Sequence, residues 1–197
     1  MSCARSTLYP SYEIQEYYST IFPRTLQVLT GSSQVSYRRA AAFAIYRAFL
    51  PKKVTKTSTE ATHAIHRLLH DPFLRHPTSI EEPSVPLSNR PRAALDTIVT
   101  LIGNAEPSPT FISKLLSPII MPLYGLSHDL SNHRTVEPQL KESVLGLLRS
   151  WAKIVDQFEG DQVLMLIIES GKNWDWKFDS EGNFWKVIRY DFLHTLM

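Results

Sequence analysis

The stretch from residue 104 to residue 155 constrains the fold most, because it holds two long apolar segments and almost no reactive side chains. A nearly continuous apolar run covers residues 111–130, and apolar side chains recur at helical spacing over residues 140–155. Segments of this kind form antiparallel helices that bury themselves against their neighbours in a stack. The sequence therefore predicts an all-α fold, a HEAT/armadillo-like α-solenoid of antiparallel helix pairs.

The first helices are expected over residues 11–76. A helix over residues 11–30 should be bent at Pro23, and a second over residues 34–50 should end before Pro51. The residues of the second helix that we expect to be buried are Val35, Ala42, Tyr46 and Phe49.

A third helix is predicted to begin with Thr57 and Glu60 in capping-box spacing. Its apolar face consists of Ala61, Ile65, Leu68, Leu69 and Pro72 or Phe73. Residues 77–91 are polar, rich in proline and free of periodicity, and they are predicted to form a loop.

A helical core is expected over residues 92–171. The fourth helix should run from Pro91 to residue 102 and stop at Gly103, and a short seventh helix is expected over residues 161–170. The sixth helix, over residues 140–155, is strongly amphipathic. Its apolar side chains are Leu140, Val144, Leu147, Leu148, Trp151 and Val155, and its charged side chains are Glu142, Arg149, Lys153 and Asp156.

The fifth helix is the most apolar of the predicted elements. Ser108 is placed as its N-cap and Pro109 at its first position, where a missing amide hydrogen costs nothing. Its apolar residues cover so wide an arc that the helix should lie between neighbours, with Pro118 and Pro122 bending it.

Residues 172–197 are predicted to form either a β-hairpin or a terminal helix. Trp174, Trp176 and Phe178 alternate with charged residues, and Gly182 suits the left-handed position of a type I turn. The competing interpretation is a helix over residues 183–196. The whole chain, residues 1–197, is thus predicted to be one helical-repeat region, part of a longer solenoid.

Composition and charge narrow the classes of partner. The 197 residues include 21 basic and 19 acidic side chains, a formal net charge of +2, so no nucleic acid is expected as a partner. Cys3 is the only cysteine, and no Asn-x-Ser/Thr acceptor occurs, so nothing indicates an oxidising compartment. The first residues do not resemble a signal peptide, and the longest apolar stretch is too short to cross a bilayer. We expect a cytoplasmic and nuclear location without membrane insertion.

Two groups of side chains suggest catalysis or metal binding. His63, His66 and His70 share one helical face and could ligate zinc, but they lie opposite the apolar stripe, so a solvated face is the simpler interpretation. The succession Ser127, His128 and Asp129 resembles a nucleophile elbow but lacks its second glycine, and consecutive residues cannot form a triad. We predict no catalytic residue, no metal ligand and no cofactor.

Two further groups suggest binding. The densest basic stretch consists of Arg38, Arg39, Lys52, Lys53 and Lys56, and it could bind a partner or simply place cations near a helix C-terminus. Trp174, Trp176 and Trp185 could form an exposed recognition surface, or pair across a hairpin and cap the helical core. The sequence alone does not identify the residues that bind a partner.

Several segments resemble one family of fungal proteins, which are required for nuclear transport of RNA polymerase II and are related to the animal transport-and-Golgi-organisation protein 6. The similar segments are residues 17–21, 69–73, 104–109, 115–120, 122–124 and 141–148, together with Trp151. The resemblance implies a non-enzymatic solenoid adaptor that holds polymerase II subunits and works with nuclear import factors. An adaptor of the same fold with another cargo, in trafficking or karyopherin-like transport, is the alternative. A small metal-binding helical enzyme that uses the histidine helix is a further alternative.

Overall fold

The computed structural model describes most of the chain, in seven segments. These are residues 11–31, 34–51, 53–75, 90–132, 137–169, 174–179 and 181–188. The predicted loop over residues 77–91, apart from its last two residues, lies outside this part, as do Cys3, Lys52 and residues 189–197.

The first part of the chain is helical, as its periodicity predicts. Its helices are α1 (Ser11–Gly31), α2 (Val35–Phe49), α3 (Lys56–Leu69) and the single turn α4 (Asp71–Leu74). Pro23 lies inside α1. The predicted start of the third helix is wrong by two residues, because Thr55 is the N-cap. Its hydroxyl accepts a hydrogen bond from the Ser58 amide at 3.2 Å, and the Ser58 hydroxyl accepts one from the Thr55 amide at 2.8 Å.

These helices pack into one cluster. Helix α1 contacts α2, α3 and α5, and both α2 and α3 also contact α5. Within α2 the prediction holds for Ala42 and Phe49, which are buried, and Tyr46 is half-buried. It is wrong for Val35, which stands 48% exposed at the start of the helix, while Ile45 occupies the core.

The second part of the chain is also helical up to residue 169. Its helices are α5 (Pro91–Asn104), α6 (Pro109–Leu116), α7 (Ile120–Asn132), α8 (Pro138–Ala152) and α9 (Gln157–Glu169). The predicted fifth helix is therefore two α-helices separated by a 3-10 turn, Ser117–Ile119. Pro118 cannot donate the amide hydrogen that an unbroken helix would need, so the chain changes its hydrogen-bond spacing there. Helix α9 begins about one turn earlier than predicted.

The α8 face is placed as its periodicity predicts. Leu140, Val144, Leu147 and Trp151 are buried, while Leu148 and Val155 pack against the core. Its four predicted charged positions are exposed. The helix also contacts α6 and α7.

A β-hairpin follows, which confirms one of the two interpretations for this region. Strand β1 (Trp174–Phe178) pairs antiparallel with β2 (Phe184–Ile188), and Gly182 between them has φ +79°. A helix over residues 183–196 is thereby excluded for residues 184–188. Strand β1 packs on α7 and β2 on α5, so the hairpin covers the helical core.

The described residues are thus mostly helical, with one small antiparallel sheet near the C-terminal end. Their apolar core runs from Phe22 in α1 to Phe184 in β2. Whether the helices form a solenoid stays a prediction. In the part of the chain that is described, no helix is both long and apolar enough to cross a membrane.

Candidate functional site

The histidines of α3 do not form the solvated face that the sequence predicts. His63 is exposed and His66 half-buried, but His70 is only 1% exposed. Helix α3 ends at Leu69. His70 links it to α4, and its side chain is buried. The centroid of the Phe49 ring lies 5.2 Å from that of the His66 ring and 6.3 Å from that of the His70 ring.

A hydrogen-bond relay holds the two inner imidazoles. The Nε2–H of His70 donates to the carbonyl of Leu115 at 2.8 Å. A carbonyl can only accept, so neutral His70 carries its proton on Nε2 and presents Nδ1 as an acceptor. The Nδ1 of His66 lies 2.6 Å from this atom and must be the donor. The relay therefore fixes the tautomers of both rings and joins α3 to α6.

The surroundings of both imidazoles disfavour protonation. Burial, aided by the neighbouring His66 and opposed by the hydrogen bond to Leu115, lowers the pKa of His70 from 6.5 to about 4. Burial is also the main cause that lowers the pKa of His66, with like-charge contributions from His63 and Lys114 opposed by Asp71. At neutral pH both inner rings are uncharged parts of a helix contact.

A cleft of about 520 Å³, lined by both polar and apolar side chains, opens beside this relay. One wall comes from α3, with Ser58, Thr62 and His66, and the other from α6 and α9, with Lys114 and Glu159. Among the described residues, no group of three or more histidine, cysteine or acidic side chains is placed to hold a metal ion.

Hydrogen bonds in the same cleft attach α9 to the rest of the protein. The Ser117 hydroxyl donates to Glu159 in a short hydrogen bond, and the Ser113 hydroxyl donates to the same carboxylate at 3.4 Å. The indole Nε1–H of Trp151 donates to the Ser117 hydroxyl at 2.9 Å. The Asp156 carboxylate accepts from the Glu159 amide at 2.9 Å and caps the start of α9. The Glu159 carboxylate thus ties α9 to α6 and the 3-10 turn, and Val163 adds an apolar contact with the core.

Helix α9 turns a broad apolar surface to solvent. Phe158 is 73% exposed, and Leu164, Met165 and Leu166 are each 54% exposed. Val163 packs against the core, and Ile167 is half-buried. A helical segment that is apolar all round, as residues 163–168 are, is normally enclosed by neighbours. We call the surface formed by Phe158, Leu164, Met165 and Leu166 the α9 face, and it is the candidate site for a partner. The apolar run over residues 163–168 was the available sequence signal, and sequence reasoning missed it.

The basic stretch is not arranged as predicted. Arg38 and Arg39 lie near the N-terminal end of α2, so the proposed favourable placement near a helix C-terminus is wrong for both. Arg47 is the basic residue in the last turn of that helix. Lys53 and Lys56 are exposed beyond it.

The tryptophans do not form one exposed recognition surface. Trp176 is 1% exposed, and its indole Nε1–H donates to the carbonyl of Pro122 at 3.2 Å. The rings of Trp174 and Trp176 instead receive the ammonium group of Lys186, which lies 4.5 Å and 5.5 Å from their centroids. Burial lowers the pKa of Lys186 to about 8, while the ring faces favour its charged form. The predicted alternative, pairing across a hairpin that caps the core, is confirmed for Trp176.

Ser127, His128 and Asp129 lie in the second half of α7, as predicted. Asp129 is buried, and its carboxylate accepts from the Trp176 amide at 2.9 Å and from His128 Nδ1 at 3.2 Å. The Asp129 side chain thus attaches the hairpin to α7. This role was missed because it depends on a residue 47 positions away in the chain.

Comparison with known proteins identifies no relative. No protein-family model matches the chain. Nothing among the curated proteins or the solved structures matches it either.

Proposed function

We propose that this chain is a non-enzymatic scaffold that binds a protein partner through the α9 face. The observation that carries the proposal is the exposure of four large apolar side chains on one helix. Exposed apolar patches on folded proteins commonly mark interaction sites. Burial of these apolar side chains against the partner then supplies most of the binding free energy.

The proposed cargo is RNA polymerase II, carried with nuclear import factors. The resemblance of residues 104–109 and 141–148 to fungal factors for polymerase II nuclear transport supports this cargo and a location in both cytoplasm and nucleus. A continued α-solenoid of helix pairs, offering a long binding surface, belongs to the same proposal. An adaptor with another trafficking or karyopherin-like cargo would use the α9 face in the same way.

Affinity purification of the tagged chain from its native cells tests the cargo. Enrichment of polymerase II subunits or import factors that is lost in a Met165→Asp variant supports the proposal. The matched control is Leu74→Asp, because Leu74 is 48% exposed and belongs to a different helix, α4. Other partners lost in the same way would indicate a different cargo, and unchanged capture by both variants would contradict binding through α9.

The rival metal-binding enzyme is tested separately by metal content. His63 and His66 line the same cleft as Glu159, although the described residues include no group placed to hold a metal ion. Stoichiometric zinc that is lost in a His66→Ala variant would contradict the purely scaffolding function.

A further inference from the structure

The α9 face includes a charged side chain as well as apolar ones. Successive residues of an α-helix are separated by 100° around the axis, so Phe158 and Met165 point in nearly the same direction. Asp161 lies between them along the helix, about 40–60° to one side by the same geometry, and it is exposed. A partner that covers this apolar surface must therefore also cover or flank the Asp161 carboxylate.

The helix offers no cation of its own to that carboxylate. The charged residues of α9 are Glu159, Asp161 and Glu169, and it contains no lysine, arginine or histidine. Glu159 is turned toward the core, where it accepts from Ser113 and Ser117. Within the described part of the chain, none of the ion pairs involves Asp161.

The α9 face of a second copy would be a poor occupant. Two α9 helices packed face to face would bring two Asp161 carboxylates to one apolar interface, and neither helix would supply a positive charge. An unpaired buried carboxylate loses its hydration without compensation, which costs several kcal/mol.

We infer that the partner of the α9 face is an amphipathic helix with a basic flank. Its apolar stripe would pack on Phe158, Met165 and Leu166, and Asp161 borders this part of the face on the side of Leu164. A lysine or arginine beside that stripe would pair with Asp161. The inference rests on the proposed function, since it specifies the chemistry of the partner that the scaffold binds.

The test uses the full chain and two synthetic helical peptides of about 14 residues, a length that matches α9. Both peptides carry the same leucine stripe, and they differ only in having lysine or glutamate at the flanking positions. Binding is measured by fluorescence polarisation at low and high salt. We expect the lysine peptide to bind more tightly, with the preference weakened by salt.

Variants separate the contribution of charge from that of the apolar surface. Asp161→Asn should weaken binding of the lysine peptide about fivefold, because it removes one partly screened ion pair. Asp161→Lys should reverse the preference toward the glutamate peptide. Met165→Asp should weaken both peptides about tenfold or more, while the Leu74→Asp control should bind as the unaltered chain does.

Three results would overturn the inference. Equal binding of both peptides, unaffected by Asp161→Asn, would contradict the basic flank but leave an α9-binding scaffold standing. Binding of neither peptide would contradict the helical occupant, while the proposed function would still be decided by capture of its cargo from cells. A dimer in sedimentation experiments that Met165→Asp dissolves would show that a second copy covers the face.

Discussion

The buried His70 imidazole should lower the free energy of unfolding of the protein in mild acid. Its pKa is 6.5 in an unfolded chain and about 4 in the folded protein, because burial disfavours the charged ring. As pH falls below about 6.5, His70 becomes protonated in the unfolded state, while in the folded state it stays neutral until pH approaches 4. Stability is therefore complete above pH 6.5 and is lost progressively until pH reaches about 4.

The size of the effect follows from the difference between the two pKa values. A gap of roughly 2.5 pH units corresponds to about 3 kcal/mol, lost at up to about 1.4 kcal/mol per pH unit. A typical domain has only about 5–15 kcal/mol of total stability, so the loss should be easily measured. His66, whose pKa is also lowered, adds to the effect in the same direction.

The assay is urea unfolding followed by tryptophan fluorescence at pH 7, 5.5 and 4, comparing the unaltered chain with a His70→Gln variant. Glutamine keeps an N–H donor for the Leu115 carbonyl and does not titrate. At pH 7 the variant should be less stable than the unaltered chain. Between pH 7 and pH 4, however, its free energy of unfolding should fall by about 3 kcal/mol less. His63→Gln, on the exposed part of the same helix, is the matched control and should keep the acid-dependent loss.

Parallel pH curves for the unaltered chain and His70→Gln would refute this reasoning. A direct NMR titration of the His70 ring gives a second, independent measurement. A midpoint at or above 6.5 would mean that burial does not govern this group.

Three other predictions concern stability, each measured by urea unfolding. Thr55→Ala should cost about 1 kcal/mol because it removes the N-cap of α3, whereas Thr57→Ala should have little effect; equal losses would contradict the assigned cap. Gly182→Ala should destabilise by about 1–2 kcal/mol because its φ is positive, while Gly146→Ala inside α8, where an added Cβ meets nothing within 4 Å, should stabilise by about 0.5–1 kcal/mol. Trp176→Ala should cost about 3–5 kcal/mol because the ring is fully buried under the hairpin, and a loss below 1 kcal/mol would show that the hairpin is not part of the core.

Local rules explain which parts of the fold could be predicted. The α8 face followed from apolar residues at helical spacing, and the hairpin from alternation together with a glycine where the turn needs a positive φ. The break near Pro118 was predicted only as a bend, because proline signals a disturbance of a helix without saying whether the helix continues. The start of α3 was misplaced because Thr55 and Thr57 are equally good caps by residue type.

The candidate site was harder to predict, because it depends on which face of a helix meets a neighbour. Periodicity placed His66 and His70 on one face of α3, yet it assigned that face to solvent. The structure instead buries His70 beside the Leu115 carbonyl, 45 residues away. In the same way, the apolar run in α9 gave no indication that half of it would remain uncovered.

The sequence alone determined where most helices and the hairpin lie, because hydrogen-bond spacing, proline and glycine act over a few residues. It also determined the charges available to each element, including the absence of any basic residue on α9. Only the tertiary structure decided that His70 is neutral and buried, that Asp129 holds the hairpin, and that the α9 face is open. These properties depend on contacts between residues far apart in the chain, and burial, not local conformation, sets their energies.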